Sequence, residues 1–361
     1  MASQSVLPAA PRVAEAAHEL SPWYGMAARD AVYRGRMTAH VRTRALPRIA
    51  LVTCRDLPMG DDDGPALQAA CAAVGLDADW RIWDDPAVDW GSYDLAVIRS
   101  TWDYPPRRDE FVSWARSVPR LANPAEVVSW NTDKAYLRDL AAAGLPVVPT
   151  TWLDPPHTDR LGADPVGGTD PLSGPRLPDD GEYPDNGEYV VKPAVSVGGK
   201  YTARYAPEHA EQAREHAAKL LAAGQRVMVQ PYLAAVDEVG ETALVYCGGR
   251  YSHAVRKGPL LTGPDYEVDG LYRPETIAPA EPSRAEREVG EAVLAAVPGG
   301  PQRLLYARVD MLPGPDGAPV VLELELAEPS CFLGTAPGAA DRFARAVSAH
   351  VAASPTGPSG R

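Results

Sequence analysis

The chain has 361 residues, of which 45% are hydrophobic and 23% are charged, and its formal net charge at pH 7 is −13. Length and composition are ordinary for a soluble globular protein with two or three lobes. The negative charge argues against nucleic acid or an anionic membrane as a partner, because phosphate groups are bound by clustered Lys and Arg. It favours small-molecule substrates and leaves a homo-oligomer open.

The hydrophobic runs and the cysteines of the sequence indicate the cellular compartment. No apolar run in the sequence approaches the roughly 18 residues that suggest a membrane span. The four cysteines lie far apart without a CxxC pair, which is typical of structural thiols in a reducing cytoplasm. We therefore expect a cytoplasmic protein with no membrane partner.

The first part of the chain predicts an extension followed by an α/β lobe. Residues 1–47 give no strand pattern, and we expect them to lie outside the main fold. Residues 48–130 alternate buried-type strands with an amphipathic helix, which implies a parallel sheet whose ligands lie beyond the carboxyl ends of its strands. The predicted strands are Ile49–Thr53, Ala78–Trp83 and Leu95–Arg99, and the predicted helix is Gly64–Val74.

Two loops leave these strand ends, at residues 54–63 and 100–104, and Arg99 directly precedes the second. The second is dense in hydrogen-bonding and aromatic groups, which together with a guanidinium could hold a small zwitterion. The alternative is a surface loop anchored by its aromatic side chains. The candidate substrate residues are Arg99, Ser100, Thr101, Trp102, Asp103 and Tyr104.

The next segments belong to a predicted central lobe, residues 131–229. Trp130–Lys134 is predicted to open a helix with Thr132 or Asp133 as its N-cap and with Gly144 just past its end. On this pattern alone Lys134 would be a helix-surface lysine. Residues 154–187 are rich in Pro, Gly and Asp, and we interpret them as an insertion in the lobe.

A phosphate-binding loop is predicted after the strand in Glu188–Tyr201. The strand carries Lys192, and the small residues that follow let backbone N–H groups approach an anion closely. Neither GxxxxGK[ST] nor GxGxxG is present, so the commonest nucleotide folds lose support. The alternative is a hairpin turn with exposed lysines. The loop candidates are Ser196, Gly198 and Gly199.

Nucleotide contacts are also predicted further along, after a helix at Pro207–Ala223 and a strand at Val227–Val229. The segment Gln230, Pro231, Tyr232 and Leu233 suits an irregular edge that bonds adenine, or else an edge strand ended by proline. Asp237 or Glu238 is the candidate for the ribose hydroxyls. The strand Tyr251–Lys257 brings Arg256 and Lys257 toward phosphate or a substrate carboxylate.

Residues 304–330 predict a β-hairpin in a C-terminal lobe, 230–352, which a tail at 353–361 follows. Side chains two apart on a strand share a face. Arg308 and Asp310 therefore share one face, and Glu323 and Glu325 another. If these faces coincide, three carboxylates converge and need a cation, for which Mg²⁺, or Mn²⁺ in its place, is suited. The alternative is a solvated face.

In this order the motifs resemble the ATP-grasp superfamily. Arg99–Tyr104, Trp130–Lys134 and Leu322–Ser330 are similar to the branch of glutathione-synthetase-like ligases that includes the O-ureido-serine cyclo-ligase of cycloserine biosynthesis. The resemblance covers roughly residues 48–351. It implies an α/β fold in which an N-terminal parallel lobe joins two α+β lobes that clamp ATP.

The resemblance also implies an activity. It is that of an ADP-forming carboxylate–amine ligase, which makes an acyl phosphate of a small amino-acid-like substrate and lets an amine attack it, in antibiotic biosynthesis. It gives Lys134 a phosphate contact. The reaction then requires lysines and Arg308 or Arg256 to spread the developing negative charge, and an amine held near Glu328 and the Arg99–Tyr104 loop. The alternatives are ligation between two molecules and a nucleotide-binding module without activity. Glu325 stands where the wider superfamily often has Asn.

Overall fold

The computed structural model describes residues 45–155, 187–267 and 270–353. Most of the predicted N-terminal extension, residues 156–186 of the predicted insertion and the tail beyond residue 353 lie outside these ranges. The described residues contain three sheets.

The first lobe is built on a four-stranded parallel sheet in the order β2-β1-β3-β4. The central strands β1 and β3 are buried along almost their whole length, as their unbroken apolar runs predicted. The predicted α/β lobe is thereby confirmed. Its elements are β1 (Arg48–Thr53), α1 (Gly64–Ala73), β2 (Asp77–Ile82), β3 (Leu95–Ser100), α2 (Arg108–Ser117), β4 (Leu121–Ala122) and α3 (Ala125–Asn131).

The central lobe carries a four-stranded antiparallel sheet in the order β5-β8-β6-β7. Its elements, with the helix that precedes them, are α4 (Tyr136–Ala142), β5 (Thr151–Leu153), β6 (Tyr189–Pro193), β7 (Ala203–Tyr205), α5 (Ala210–Ala222) and β8 (Val227–Pro231). Strand β8 lies inside the sheet and ends at Pro231, so the alternative of an edge strand is wrong.

The third sheet has five antiparallel strands in the order β11-β10-β9-β12-β13. The predicted hairpin forms its β12–β13 end. The elements of this lobe are α6 (Ala235–Val239), β9 (Glu241–Cys247), β10 (Arg250–Lys257), β11 (Ile277–Ala280), α7 (Arg284–Ala296), β12 (Tyr306–Pro313), β13 (Pro319–Glu325) and α8 (Ala339–Ala353).

One prediction about a helix start is wrong. Residues 130–134 lie where two short helices meet, because α3 ends at Asn131 with Thr132 as its C-cap and α4 begins only at Tyr136. The Asp133 carboxylate accepts a hydrogen bond from the Ala135 N–H at 2.9 Å, but it does not cap a helix that begins there. Gly144 does follow the end of α4, with a φ of 78°.

Two buried asparagines join the first lobe to the hairpin. The Asn123 side chain donates to the Tyr306 carbonyl at 2.9 Å and accepts from the Leu305 N–H at 2.7 Å. Asn131 donates to the Leu324 carbonyl at 2.7 Å and accepts from the Leu326 N–H at 2.7 Å. Buried backbone groups need such partners, so these bonds fix the hairpin relative to the first sheet.

The apolar core also joins the first lobe to the C-terminal lobe. Ile49 and Val97 of the first sheet pack in one cluster with Tyr306, Phe343 and Val347 of the C-terminal lobe. Among the described helices, none is long and apolar enough to cross a membrane.

Candidate active site

A cavity of about 600 Å³ lies where the three lobes meet. The structure brings most of the predicted site residues into its wall. They are Trp102, Lys134, Lys192, Ser196, Gly198, Gly199, Gln230, Pro231, Tyr232, Leu233, Arg308, Glu323, Glu325 and Glu328. The cavity therefore combines the predicted phosphate loop, adenine segment and hairpin face in one space.

The hairpin register explains the charge cluster at one end of this cavity. Arg308 lies opposite Glu325 and Asp310 opposite Glu323, so the two faces coincide as predicted. The Arg308 Nε donates to Asp310 Oδ1 at 2.8 Å, and its Nη2 also contacts the Glu325 carboxylate. These three side chains form one network, in which Arg308 and Asp310 are buried and Glu325 is partly exposed.

Burial and charge shift the pKa values of these acids in opposite directions. Burial alone would raise the pKa of Asp310, but Arg308 and Lys257 outweigh it and lower that pKa to about 2. Burial raises the pKa of Glu325 to about 7, against the attraction of Arg308. Asp310 is thus the anionic centre of the network.

The predicted metal ligands do not form a ready-made metal site. In the ranges that the structure describes, no three acidic, His or Cys side chains are grouped to hold a metal ion. Asp310, Glu323 and Glu325 adjoin one another, but their oxygens face Arg308, Lys257 and Lys134. A divalent cation would have to take the place of some of these contacts.

Lys134 is part of the cavity wall, and the interpretation of it as a helix-surface lysine is wrong. It is only 6% exposed. Its Nζ donates to the Ser196 carbonyl at 2.8 Å and lies 2.9 Å from Glu323 Oε1. Lys134 thereby links the phosphate loop to the hairpin.

The phosphate loop does join two antiparallel strands, β6 and β7, as the alternative interpretation held. Lys192, however, is buried rather than exposed, and burial lowers its pKa to about 8. Gly198 has a φ of 63°, and a Cβ there would lie 2.5 Å from the Cβ of Tyr272. The glycine therefore permits both the backbone conformation and the close approach of the loop that carries Tyr272.

The ribose candidates require a correction. Asp237 and Glu238 lie on α6, are exposed and do not line the cavity. Asp237 instead accepts from Arg204 at 3.0 Å and from the Tyr232 hydroxyl. Glu241, which begins β9, lines the cavity, and burial raises its pKa to about 7. Its position at the start of an alternating strand was the only sequence signal for it.

The cation predicted on β10 also requires a correction. Lys257, not Arg256, lines the cavity, because adjacent residues of a strand face opposite sides. The Lys257 Nζ lies 2.7 Å from Glu241, 3.5 Å from Asp310 and 3.6 Å from Glu275. Glu275, which the sequence analysis did not identify, lines the same wall.

The predicted substrate loop contributes less than expected. Arg99, Ser100 and Thr101 are fully buried and do not line the cavity. Arg99 donates to the Pro329 carbonyl at 3.1 Å and to the Cys331 Sγ at 3.4 Å. Its guanidinium is thus committed to holding the chain after the hairpin.

Of the other members of that loop, Trp102 lines the cavity and Asp103 does not. Asp103 accepts from Trp83 at 2.8 Å and from Arg107 at 2.9 Å, and it does not line the cavity either. Trp102 does line it, and its Nε1 donates to the Glu328 carbonyl oxygen at 3.0 Å. The fully buried Tyr104 hydroxyl bonds the Glu328 carboxyl, whose pKa burial raises to about 8.

Comparisons with known proteins agree with this geometry. The family model for the D-cycloserine synthetase DcsG N-terminal domain matches residues 49–123. The cycloserine biosynthesis protein DcsG of Streptomyces lavendulae is 38% identical over 309 residues, which are 83% of this chain and 97% of that protein.

Solved structures show the same fold. The crystal structure of D-cycloserine synthetase DcsG superposes with a TM-score of 0.71 at 36% identity, covering 84% of this chain and 99% of that one. The ATP-grasp ligase PsnB, complexed with a phosphomimetic variant of its minimal precursor, Mg and ADP, has a TM-score of 0.53 at 17% identity, covering 85% and 99%.

The fold and the cavity define an ATP-grasp ligase, a class of enzyme that forms C–N bonds. Within that class, the chain belongs to the DcsG family. The resemblance stated from the sequence motifs is therefore confirmed.

Proposed function

We propose that the protein is an ADP-forming carboxylate–amine ligase that closes a ring within an O-ureido-serine-like amino acid. One observation carries the proposal. Lys134, Lys192 and Lys257 meet the carboxylates of the β12–β13 hairpin at one end of a cavity whose other parts are predicted to hold adenine and substrate. The names of the DcsG relatives support the choice of substrate.

The reaction needs ATP because a carboxylate is a poor acyl donor. Its oxygen attacks the γ-phosphorus, the bond to ADP breaks, and an acyl phosphate forms. The ureido nitrogen bonded to oxygen in the same molecule then attacks the carbonyl carbon and releases phosphate and a proton. Clustered cations stabilise the charge that develops on the transferred phosphoryl group. Lys134, Lys192 and Arg308 are assigned this role.

The carboxylates of the hairpin would hold a magnesium ion in exchange for part of their contacts with Arg308, Lys257 and Lys134. Asp310, Glu323 and Glu325 offer hard oxygen ligands, which Mg²⁺ prefers, and Glu323 and Glu325 face the cavity. When bound, Mg²⁺ neutralises the charge of the phosphates. Mn²⁺ is the expected substitute.

The substrate end of the cavity is assigned to Glu328 and Trp102. Glu328 is buried, contacts the Tyr104 hydroxyl and faces the space beside the hairpin. A carboxyl with a pKa near 8 can take a proton from an attacking amine. Trp102 and Tyr272, whose rings lie 5.2 Å apart, screen this end from water.

We also propose a cytoplasmic location for the protein. All four cysteines are buried and unpaired, which supports a reducing cytoplasm.

The proposal is tested by ADP release from the purified protein with Mg·ATP. The panel contains O-ureido-D-serine and other small amino acids, each alone and in pairs. Release with one compound alone, with a cyclic product, supports ring closure. A requirement for a second compound would replace ring closure by ligation between two molecules. ATP binding without turnover on any compound would favour the nucleotide-binding module.

A further inference from the structure

Asp61 lies in the loop between β1 and α1 and lines the same cavity as Trp102 and Phe332. Its Oδ1 is buried and has no hydrogen-bond partner within residues 45–155, 187–267 and 270–353. A buried carboxylate oxygen without a donor is costly, because it has lost its water and gained nothing in return. Such an atom in a cavity wall calls for a ligand that supplies the donor.

The charges around Asp61 are unbalanced. Arg99 is the nearby guanidinium, and it attracts both Asp61 and Asp63. Asp63 is already satisfied, because its carboxylate accepts from the N–H groups of Cys331 at 3.1 Å and Leu333 at 2.5 Å and lies 3.8 Å from Arg99. Two carboxylates thus share one cation, and Asp61 is the one with a buried oxygen, Oδ1, that has no hydrogen-bond partner in the described ranges.

The pKa of Asp61 agrees with this imbalance of charge. Burial raises the pKa of Asp61 to about 6 in spite of the attraction of Arg99. The lysines of the cavity do not correct the imbalance. Lys134 is held by Glu323 at 2.9 Å and Lys257 by Glu241 at 2.7 Å.

The rest of this wall is suited to an ammonium group. Trp102 and Tyr272 line the cavity with their rings in edge contact, whereas the ring of Phe332, in the same cavity, already faces the Arg308 guanidinium at 5.4 Å. Aromatic faces attract organic cations, and they do so more strongly where water is excluded. A carboxylate that shares a cavity with aromatic rings therefore favours a substrate with a positive charge.

We propose that Asp61 binds the free α-ammonium group of the amino-acid substrate and so selects amino acids over other carboxylic acids. The inference rests on the proposed function and deepens it. The ammonium group is a spectator: it is neither the activated carboxylate nor the attacking nitrogen. Asp61 holds it so that the carboxylate on the same carbon atom meets ATP.

The first test replaces Asp61 by Asn, which keeps the shape and removes the charge. With O-ureido-D-serine as the probe, Asp61→Asn should raise KM for that compound about 10- to 100-fold, as expected for a lost hydrogen bond between charged groups. KM for ATP should stay within about twofold, because the loop is outside the predicted nucleotide end. Asp56→Asn is the matched control, since Asp56 is an exposed carboxylate of the same loop that does not line the cavity.

The second test changes the substrate instead of the protein, so it does not depend on how the variant folds. The probe is 3-(ureidooxy)propanoate, which lacks only the α-amino group. The wild-type enzyme should disfavour it about as strongly as Asp61→Asn disfavours O-ureido-D-serine, and the variant should no longer distinguish the two compounds. If Asp61→Asn retains the wild-type preference for the amino compound, the inference is overturned.

The outcomes separate this inference from the proposed function. Normal turnover of O-ureido-D-serine by both proteins leaves the proposed function intact and overturns the role of Asp61. If another amino acid of the panel is the one that releases ADP, it and its des-amino analogue replace the pair in the same measurements. No ADP release by the wild-type enzyme with any ammonium-bearing compound overturns both.

Discussion

Lys134 and Glu323 form an ion pair across two lobes, with Nζ and Oε1 2.9 Å apart. Lys134 lies between α3 and α4, whereas Glu323 lies on β13. The lysine is 6% exposed, so water screens the pair less than it screens a surface ion pair.

Removing this lysine should destabilise the protein. Lys134→Met leaves Glu323 beside other acids without its cation, and we expect the free energy of unfolding to fall by about 2 kcal/mol in a urea titration. The control is Arg284→Met, which breaks the exposed Arg284–Glu288 pair and should leave the free energy of unfolding nearly unchanged, because water screens that pair. Equal losses in the two variants would contradict the importance of burial.

Asp310→Asn and Glu323→Gln should each lower kcat for ADP release at least about 100-fold, because they remove charge from the predicted metal and phosphate end. Circular dichroism should show that the fold is retained. Wild-type kcat in both variants would remove the hairpin from the reaction.

Two neighbours on β10 provide a matched pair of cations. Lys257→Met should lower kcat/KM about 100-fold, because Lys257 faces the cavity and contacts Glu241 and Asp310. Arg256→Met removes the same charge from the opposite face and should change kcat/KM by less than about threefold. If Arg256→Met were the more harmful, β10 would have to turn its other face toward the cavity.

The phosphate loop is testable through its glycine. Gly198→Ala should raise KM for ATP about tenfold, because the added Cβ would collide with Tyr272 and shift the loop. Gly144→Ala has an equally unfavourable φ of 78° but no atom within 4 Å of the added Cβ. Both variants should lose about 1 kcal/mol of stability from backbone strain, and only the first should affect ATP.

His216 predicts a pH dependence of stability. It is buried, accepts or donates one bond to the Tyr205 hydroxyl at 3.0 Å and stacks on Tyr266 at 4.0 Å. Burial lowers its pKa from 6.5 to about 4. The unfolded chain therefore takes up a proton first as the pH falls, so the stabilisation is complete above 6.5 and is lost toward pH 4.

The variant His216→Phe keeps a ring in that place and removes the titration. Its unfolding free energy should depend less on pH than that of the wild type, by up to about 1.4 kcal/mol per pH unit in this window. His209→Asn, a histidine substitution in the same lobe, is the control. An unchanged slope in His216→Phe would show that other groups set the acid sensitivity.

The sequence was sufficient for features that depend on local pattern. The hairpin could be predicted because two alternating runs flank a Pro- and Gly-rich turn, and the β12–β13 register then places Asp310 opposite Glu323. The loop from Ser196 to Gly199 could be predicted from its glycines. Both features rest on residues that are close together in the chain.

The remaining site residues depend on information that local pattern does not contain. The two-residue alternation of a strand does not say which of its faces meets the cavity. Arg256 was therefore assigned to the developing charge, although Lys257 is the cation that faces the cavity. A short helix, α6, turns Asp237 outward, and the chain reverses at Gly240 before Glu241. Arg99 looked like a substrate ligand because its partners, Asp63 and Cys331, are brought to it only by the fold.

The bonds of Asp63 and Arg99 to residues 329–333 have a consequence for recombining such enzymes. The cavity wall that contains Ser330 and Phe332 belongs to the C-terminal lobe, but the residues that support it belong to the N-terminal one. A chimera that exchanges only the N-terminal lobe for that of a distant ligase would leave this wall without its supports. Lobes of this family are therefore exchangeable only if Asp63, Arg99 and the 329–333 segment are transferred together.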